Sequence, residues 1–537
     1  LAILAAPAAR GQSPAAVDRT IVGLFDSKTD ITLRRSRIHR LVEMPVNHLG
    51  LVMQSYDVRE GLPSDEAMRG VRGIVTWFTG VAFADPNAYL TWLEAQLRAG
   101  KKLVIIDHPG VDPDLDPAGG IGVRRKFDSM LAHIGLRWEG EWVDLTYSTR
   151  IVAKDSPMVE FERPLPRLLP PYQRLSLLGS TARAYLTVRR NVDARDTPLV
   201  VTGPNGGYIS PHYAIFEPPR EIETLNWHVN PFRFFREAFG TDAVPKLDTT
   251  TLSGRRIYYS HVDGDGWHNV STAMKYAEKK RASAEVLYLD VLMRTPDLPV
   301  TIGPISGDID KTWYGDDKAR ELARNMFALP QVEAGTHTHS HPLVWAFFRD
   351  PDPRRELRYL PFYPARPGRS QADSVWDRSK LPADQPPRRD LEDSIPAGYA
   401  TPRSYAVQPF RLETEVAGSI KIIEALLPPG KRVALYQWSG DTSPFERVFG
   451  VVKAAGVRNI NGGDSRMDGL FASYAQVQAL GLRVGAARQV YSSASNENTY
   501  TDNWRRRFYG FRSLAETLQR TETPIRFKPI NIYYHFY

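Results

Sequence analysis

The sequence predicts an α/β protein of two domains, the first a doubly wound, flavodoxin-like α/β unit. Three observations lead there. At 537 residues the chain exceeds what one hydrophobic core serves, since domains run to roughly 100–200 residues. From Thr20 onward, short β-rich runs alternate with helical periods, the pattern of parallel βαβ units. The polar, proline-bearing stretch 241–253 has no apolar period and reads as a linker between the two domains.

The elements follow in order. TIVGLF is a strand, and an amphipathic stretch lies around 38–41. LGLVMQSYDV and VRGIVTWF are strands, AYLTWLEAQLRAG is a helix, and KKLVIID is a strand. Gly100 ends the helix, and Asp107-His108-Pro109 marks a loop at a strand end, where such sheets hold ligands. No glycine fingerprint or phosphate loop occurs there, so no nucleotide site is expected. TRIVAKDSP, RAYLTVRR and PLVVTGPNGGYIS predict further strands, and PFRFFREAFG predicts a covering helix that completes an accessory domain over 20–240.

The second domain, 254–537, opens with a strand in RRIYYSHVDGDGWHN and a helix in TAMKYAEKKRA. Strands near EVLYLDV and PVTIGPIS and a helix in DDKARELARNMFAL lead to a histidine cluster. Residues 350–403, rich in proline, arginine and aspartate, predict a long surface insertion without regular elements. Beyond it come a helix over 411–427, a strand in RVALYQW, a helix in FERVFGVVKAAG, a strand in VRNINGG, further helices, and a last strand in PINIYYHFY. No repeat of fixed period is found.

The absence of cysteine excludes disulfides, Cys-ligated zinc, iron–sulfur centres and any thiol nucleophile, leaving His, Asp and Glu as strong metal ligands. The formal charge of +8 implies a mildly basic surface. No concentrated basic stripe or nucleic-acid-reading motif accompanies it, so nucleic acid is not an expected partner, while an anionic or membrane-proximal partner stays open. The opening LAILAAPAAR, apolar to Ala9, reads as a signal-peptide remnant or a disordered tail over 1–19. The former implies a periplasmic or secreted protein. No later stretch has the ~18 apolar residues of a membrane span, so no transmembrane span is expected.

Chemistry concentrates in two places. E-A-G-T-H-T-H-S-H-P sets His337, His339 and His341 within five residues, in a chain with twelve histidines. His337 and His341 are four apart, and one helical turn would put both rings on one face, although Pro342 favours a loop or a helix start. Either geometry can present two imidazoles to a metal, and the alternative is histidines of the surface or core. His339 would then point elsewhere. Asp263-Gly264-Asp265-Gly266 supplies the carboxylate that commonly completes a two-histidine site. Of its two carboxylates, one can bind the metal and the other can remain free as a base. An Asx-turn is the plainer reading of that segment, and EF-hand spacing is absent.

S-H-V-D-G-D-G-W followed by H-T-H-S-H-P resembles the first two motifs of the family-four carbohydrate esterases, the NodB-type polysaccharide deacetylases. The chain from Thr20 is more closely similar to the PelA-like periplasmic deacetylases of the Pel exopolysaccharide. VRGIVTWF, SHVDGDG, HTHSHP, LYQWSGDTSP, NINGGD and PINIYYHFY, in this order, support the likeness. The resemblance implies a distorted (β/α) barrel as the second domain, with the site at the C-terminal ends of its strands. It further implies Asp263 as general base, Asp265, His337 and His341 as metal ligands, and His535 as general acid. The metal, a divalent ion and usually zinc, would polarise the acetamide carbonyl while the base activates water and the acid protonates the departing amine. Taken by itself, His535 is also readable as a structural histidine of the tail.

The sequence departs from that family in lacking an arginine-proline-proline third motif, whose place QWSGDTSP takes. Trp438 there would wall a groove against a sugar face or sit in the core, and Asp441 would orient the base or the oxyanion. The glycosidase domain that PelA-like proteins carry ahead of these regions is missing from the chain, so cleavage of glycosidic bonds is not expected. The expected function is metal-dependent N-deacetylation of an exported amino-sugar exopolysaccharide, with a polysaccharide substrate and an exopolysaccharide secretion complex as partners. The rival reading is a catalytically inert polysaccharide-binding or assembly protein, and a third is an acetyl-ester hydrolase or peptidoglycan amidase.

Overall fold

Runs of β-branched residues separated by helical periods form two sheets with parallel strands in the computed structural model. The structure describes residues 17–113, 120–218, 224–350, 352–357, 359, 363 and 401–537. The expected signal remnant up to residue 16 and most of the expected insertion lie outside the described residues. Two compact units result, Leu1–Phe216 with Trp227–Leu247 and Glu217–Asn226 with Asp248–Tyr537. The division at 247/248 falls within the stretch 241–253, and the second unit also takes a short piece of the range assigned to the first domain.

The first unit holds strands β1 (Thr20–Phe25), β2 (Val52–Asp57), β3 (Val71–Phe78), β4 (Lys102–Asp107), β5 (Thr149–Lys154), β6 (Arg183–Arg190), β7 (Asp196–Gly203) and β8 (Gly206–Ile209). The sheet order is β2-β1-β3-β4-β8-β7-β6-β5, parallel as far as β8 and antiparallel thereafter. The first four strands thus follow the flavodoxin-type order, and an antiparallel extension completes the sheet. β3 reads as a near-continuous apolar run because it is buried on both faces, as central parallel strands are. Helix Pro86–Arg98 starts where Asp85 accepts a hydrogen bond from the Ala88 N–H and Pro86 takes the first turn. It buries Tyr89, Leu90, Leu93 and Leu97, one face at helical spacing.

The second unit is a curled half-barrel sheet. Its strands are β9 (Tyr258–Asp263), β10 (Val300–Gly303), β11 (Val332–Thr336), β12 (Val433–Gln437), β13 (Arg458–Ile460), β14 (Ser495–Asn496) and β15 (Ile530–His535). They run in the order β13-β12-β11-β10-β9-β15-β14, every pair parallel. The last strand therefore inserts beside the first, in a register that sets His535 opposite Asp263. Among the described residues, no helix is long and apolar enough to cross a membrane.

Three expectations are corrected. EVLYLDV forms part of a helix, Ser283–Asp290, with Ala284 and Leu287 buried on one face. A short apolar run has no period that separates strand from helix, and the Arg281–Glu285 pair one turn apart favours the helix. TAMKYAEKKRA is helical only over Met274–Ala277, where Tyr276 is buried but Met274 is almost fully exposed, so one ring docks the segment in place of an apolar stripe. The insertion does contain a regular element, helix Pro353–Leu357, tied down by a buried ion pair between Glu356 and Arg403 at 2.5 Å.

Trp438 has none of its side chain exposed and packs edge-on against Trp345, Tyr436 and Phe449. It is core and cannot wall a groove, which corrects the substrate-binding expectation. Truncating such a side chain removes its transfer energy and leaves a cavity, so Trp438→Ala should cost roughly 3–5 kcal/mol of stability, read as a lowered urea midpoint.

Candidate metal centre

Asp263, Asp265, His337, His341 and His535 all sit at or just beyond the C-terminal ends of parallel strands. That is the end at which such barrels hold their chemistry. Gly264 is required by close approach, because a Cβ there would lie 2.3 Å from the Ile305 backbone nitrogen. Gly266 adopts φ +88°, open to glycine at little cost, and the Phe536 N–H donates to the Asp265 carbonyl at 2.9 Å. The acidic turn is thereby pinned on one side by β10's exit and on the other by the C-terminal strand.

The histidine segment is a loop after β11, with Thr338 and His341 in the left-handed region at φ 68° and 54°. A buried carboxylate holds this shape. Glu415 Oε1 accepts from the N–H groups of His339 and Ser340, each at 2.9 Å, and Oε2 accepts from the Ser340 hydroxyl at 2.6 Å. The chain returning from the insertion adds a second brace, since Ser404 N–H donates to the His341 carbonyl and Tyr405 N–H to that of Ser340.

These supports bring His337 Nε2 to 3.1 Å and His341 Nε2 to 2.9 Å from the two oxygens of Asp265. All three donors lie within 4.8 Å of one another. The distances are those of ion pairs, yet neither imidazole nitrogen is aligned with a hydrogen-bond partner. Buried nitrogens left unpaired and facing a carboxylate suit a shared cation. Asp265, His337 and His341 could therefore hold a metal ion. The Ser404 hydroxyl lies 2.8 Å from His341 Nδ1, the kind of contact that orients a ligating imidazole. Burial opposes ionisation of Asp265, but the two histidines beside it hold its carboxyl well below the usual range.

Asp263 is buried beside this triad. Its Oδ2 accepts from Asn461 Nδ2 at 2.9 Å, while Oδ1 has no hydrogen-bond partner and lies 3.8 Å from His337 Nδ1. Asn461 is oriented from two sides, with Nδ2 donating to the Trp438 carbonyl at 3.0 Å and Oδ1 lying 2.7 Å from His261 Nε2. Burial pushes the His261 pKa down, so the ring is neutral, and the acceptor opposite it assigns its proton to Nε2.

His535 stands on the other side of Asp263. Its Nε2 lies 3.8 Å from Asp263 Oδ2 and 3.9 Å from Asp265 Oδ2. Its Nδ1 lies 2.6 Å from Glu497 Oε1, which also accepts from the His535 backbone N–H at 3.0 Å. Burial alone would depress the imidazole, but Glu497 outweighs it and the pKa is pushed up to about 10, so His535 is protonated at neutral pH.

Two other residues do not join the cluster. His339 turns away, with Nδ1 at 2.7 Å from the Ser306 hydroxyl and its ring edge-on to Trp313. Asp441 accepts from the N–H groups of Trp345 and Ser443. The contact that orients Asp263 comes from Asn461, which corrects the expectation for Asp441. Asn461, Glu497, Glu415, Ser404 and His261 were not singled out from sequence. Asn461 and His261 stand in the phrases NINGGD and SHVDGDG, which assign them no role, and the other three residues have no local signal.

No family model matches this chain, and no curated protein matches it. Metal binding is directly measurable. With zinc as the probe ion, Asp265→Ala should weaken uptake in a chelator competition most strongly, and Ser404→Ala should weaken it about 10–100-fold by freeing the His341 ring.

Proposed function

We propose that this chain is a metal-dependent polysaccharide deacetylase, removing N-acetyl groups from an exported amino-sugar exopolysaccharide such as one of N-acetylgalactosamine or N-acetylglucosamine, with Zn2+ as its ion. One observation carries the reading. A two-histidine, one-carboxylate donor set lies within 4.8 Å, an unpartnered oxygen of Asp263 lies 3.8 Å from one of its histidines, a protonated imidazole lies 3.8 Å from the other Asp263 oxygen, and amide hydrolysis needs each of them.

Asp265, His337 and His341 would hold the ion, which supplies a Lewis acid for the charge developing on the acetamide oxygen. Asp263 Oδ1 takes a proton from the attacking water as its oxygen bonds to the carbonyl carbon. Asn461 holds Oδ2 meanwhile, so the carboxylate keeps one lone pair aimed at the water. His535 Nε2–H donates to the sugar nitrogen as the C–N bond breaks, releasing acetate and leaving a free amine on the polymer. Glu497 keeps that proton on His535 until it is needed. The reading includes an exported protein, periplasmic or secreted, and an exopolysaccharide secretion complex as partner. Both rest on the sequence resemblance and the apolar opening of the chain.

The test is acetate release from N-acetylated galactosamine and glucosamine oligomers, with zinc or with chelator. Metal-dependent release is expected from the wild type. Asp263→Asn should lower it on the order of 10²–10⁴-fold while zinc content is unchanged. Zinc retained by the wild type with no acetate released from either oligomer would favour an inert polysaccharide-binding protein. Glu497→Gln should move the alkaline limb of the rate profile to lower pH. The acid works only while protonated, and loss of the neighbouring negative charge lowers the pH at which His535 gives up its proton.

A further inference from the structure

Helix Glu497–Thr501 is one turn long, and its first residue holds His535. The chain that leaves it, 502–512, has a composition unlike its surroundings. Trp504, Phe508 and Tyr509 are exposed by 36%, 60% and 77%, three large rings turned to solvent within six positions. Between and beyond them stand Arg505, Arg506, Arg507 and Arg512, all exposed. Arg506 pairs with Asp502 at 2.6 Å, whereas Arg505, Arg507 and Arg512 make no salt bridge among the described residues. Four arginines against one aspartate leave the segment at +3.

The backbone is shaped to present these groups. Asp502, Asn503, Trp504 and Arg507 all adopt left-handed conformations, at φ between 52° and 58°. For a bulky residue such as Trp504 that region is costly, and such outliers persist where the surrounding structure holds them. Here Phe511 anchors the loop by packing edge-on against Tyr500, whose side chain is fully buried, and the Arg506 N–H donates to the Thr501 carbonyl.

We propose that loop 502–512 docks on an anionic lipid surface. The arginines complement headgroup phosphates, and Trp504, Phe508 and Tyr509 enter the boundary between headgroups and acyl chains, where aromatic rings settle. A neutral amino-sugar chain would use the rings and leave the charges idle, and its deacetylated form carries the wrong sign. A polyanion without rings, such as inorganic polyphosphate, would use the charges and leave Phe508 in water. An anionic membrane interface engages both halves of the loop. Docking there would hold His535 one short helix from the lipid surface, and the inference does not depend on the reaction proposed above.

The experiment is sedimentation of the full chain with vesicles of phosphatidylcholine alone and of phosphatidylcholine mixed with phosphatidylglycerol, at low and high salt. Binding is expected only to the mixed vesicles. The triple variant R505Q/R507Q/R512Q should bind about a hundredfold more weakly, about fivefold per arginine, equivalent to the ~1 kcal/mol each contributes near such a surface. Phe508→Ala with Tyr509→Ala should retain only binding that high salt abolishes, since charge alone remains. Zinc content equal to wild type would show that the variants are folded. Equal partition into both vesicle types would overturn the proposal, as would undiminished binding by the triple variant. It would equally fail if inorganic polyphosphate or N-acetylated amino-sugar oligomers bind the loop and the vesicles do not.

Discussion

The parallel pairing of β15 with β9 is the constraint on which the site depends. It joins segments some 270 residues apart in the chain, in a register that sets His535 against Asp263, Tyr534 against Val262 and Tyr533 against His261. Because side chains alternate across a strand, a slip of one residue would send His535 to the opposite face and replace it with an aromatic ring. Two backbone bonds frame that register, Ile530 N–H to the Ile257 carbonyl at the start and Phe536 N–H to the Asp265 carbonyl at the end. The same pairing thus aligns His535 with Asp263 and clamps the turn that bears Asp265. His261 stacks on Tyr533 across it, with ring centroids 4.7 Å apart, so the histidine that holds Asn461 is itself held by the same strand.

Glu415, Glu497 and the half-buried Asp265 carry charge at reduced cost because each faces donors or basic side chains of its own. Glu415 is satisfied by two backbone N–H groups and a hydroxyl, and its work is to shape the histidine loop. Glu497 spends one oxygen on both the backbone and the ring of His535, which biases that imidazole towards its protonated form. Asp265 faces two histidines and stays ionised. Asp263 has a buried Oδ1 with no hydrogen-bond partner, 3.8 Å from His337 Nδ1. Neighbours of opposite charge thus hold both Asp265 and His535 in their ionised forms within a few ångströms of each other, against the effect of burial.

Asn461 bears on the altered third motif, one departure from the family that the sequence resembles. Where an arginine-proline-proline motif is absent, Asp263 is oriented by a neutral amide, itself fixed by His261 and the Trp438 carbonyl. A guanidinium would stabilise the ionised carboxylate and weaken its attraction for a proton, whereas an amide orients it with less electrostatic penalty. Asn461 reaches this position through φ 97° at the exit of β13. The glycines after it leave room for Tyr491, which a Cβ on Gly463 would meet at 2.1 Å.

Much of this was legible in the chain itself. The strands TIVGLF, VRGIVTWF and KKLVIID, the helix in DDKARELARNMFAL and the last strand announce themselves through apolar period and length. The histidine cluster and the acidic glycine turn stand out because their chemistry is packed into a few consecutive residues. The partners that make those residues work are single polar side chains in unremarkable contexts, Glu497 in a polar turn, Ser404 beyond a long insertion and Asn461 after a short strand. Trp438 shows the converse, since an aromatic beside a candidate motif reads as a groove wall or as core, and only packing against Trp345 and Phe449 decides it. Local pattern determines which residues can form a strand, a helix or a ligand pair, because period, turn chemistry and spacing are short-range properties. Which carboxylate faces which imidazole is decided by strand order and register, which depend on contacts between distant segments that no local window contains.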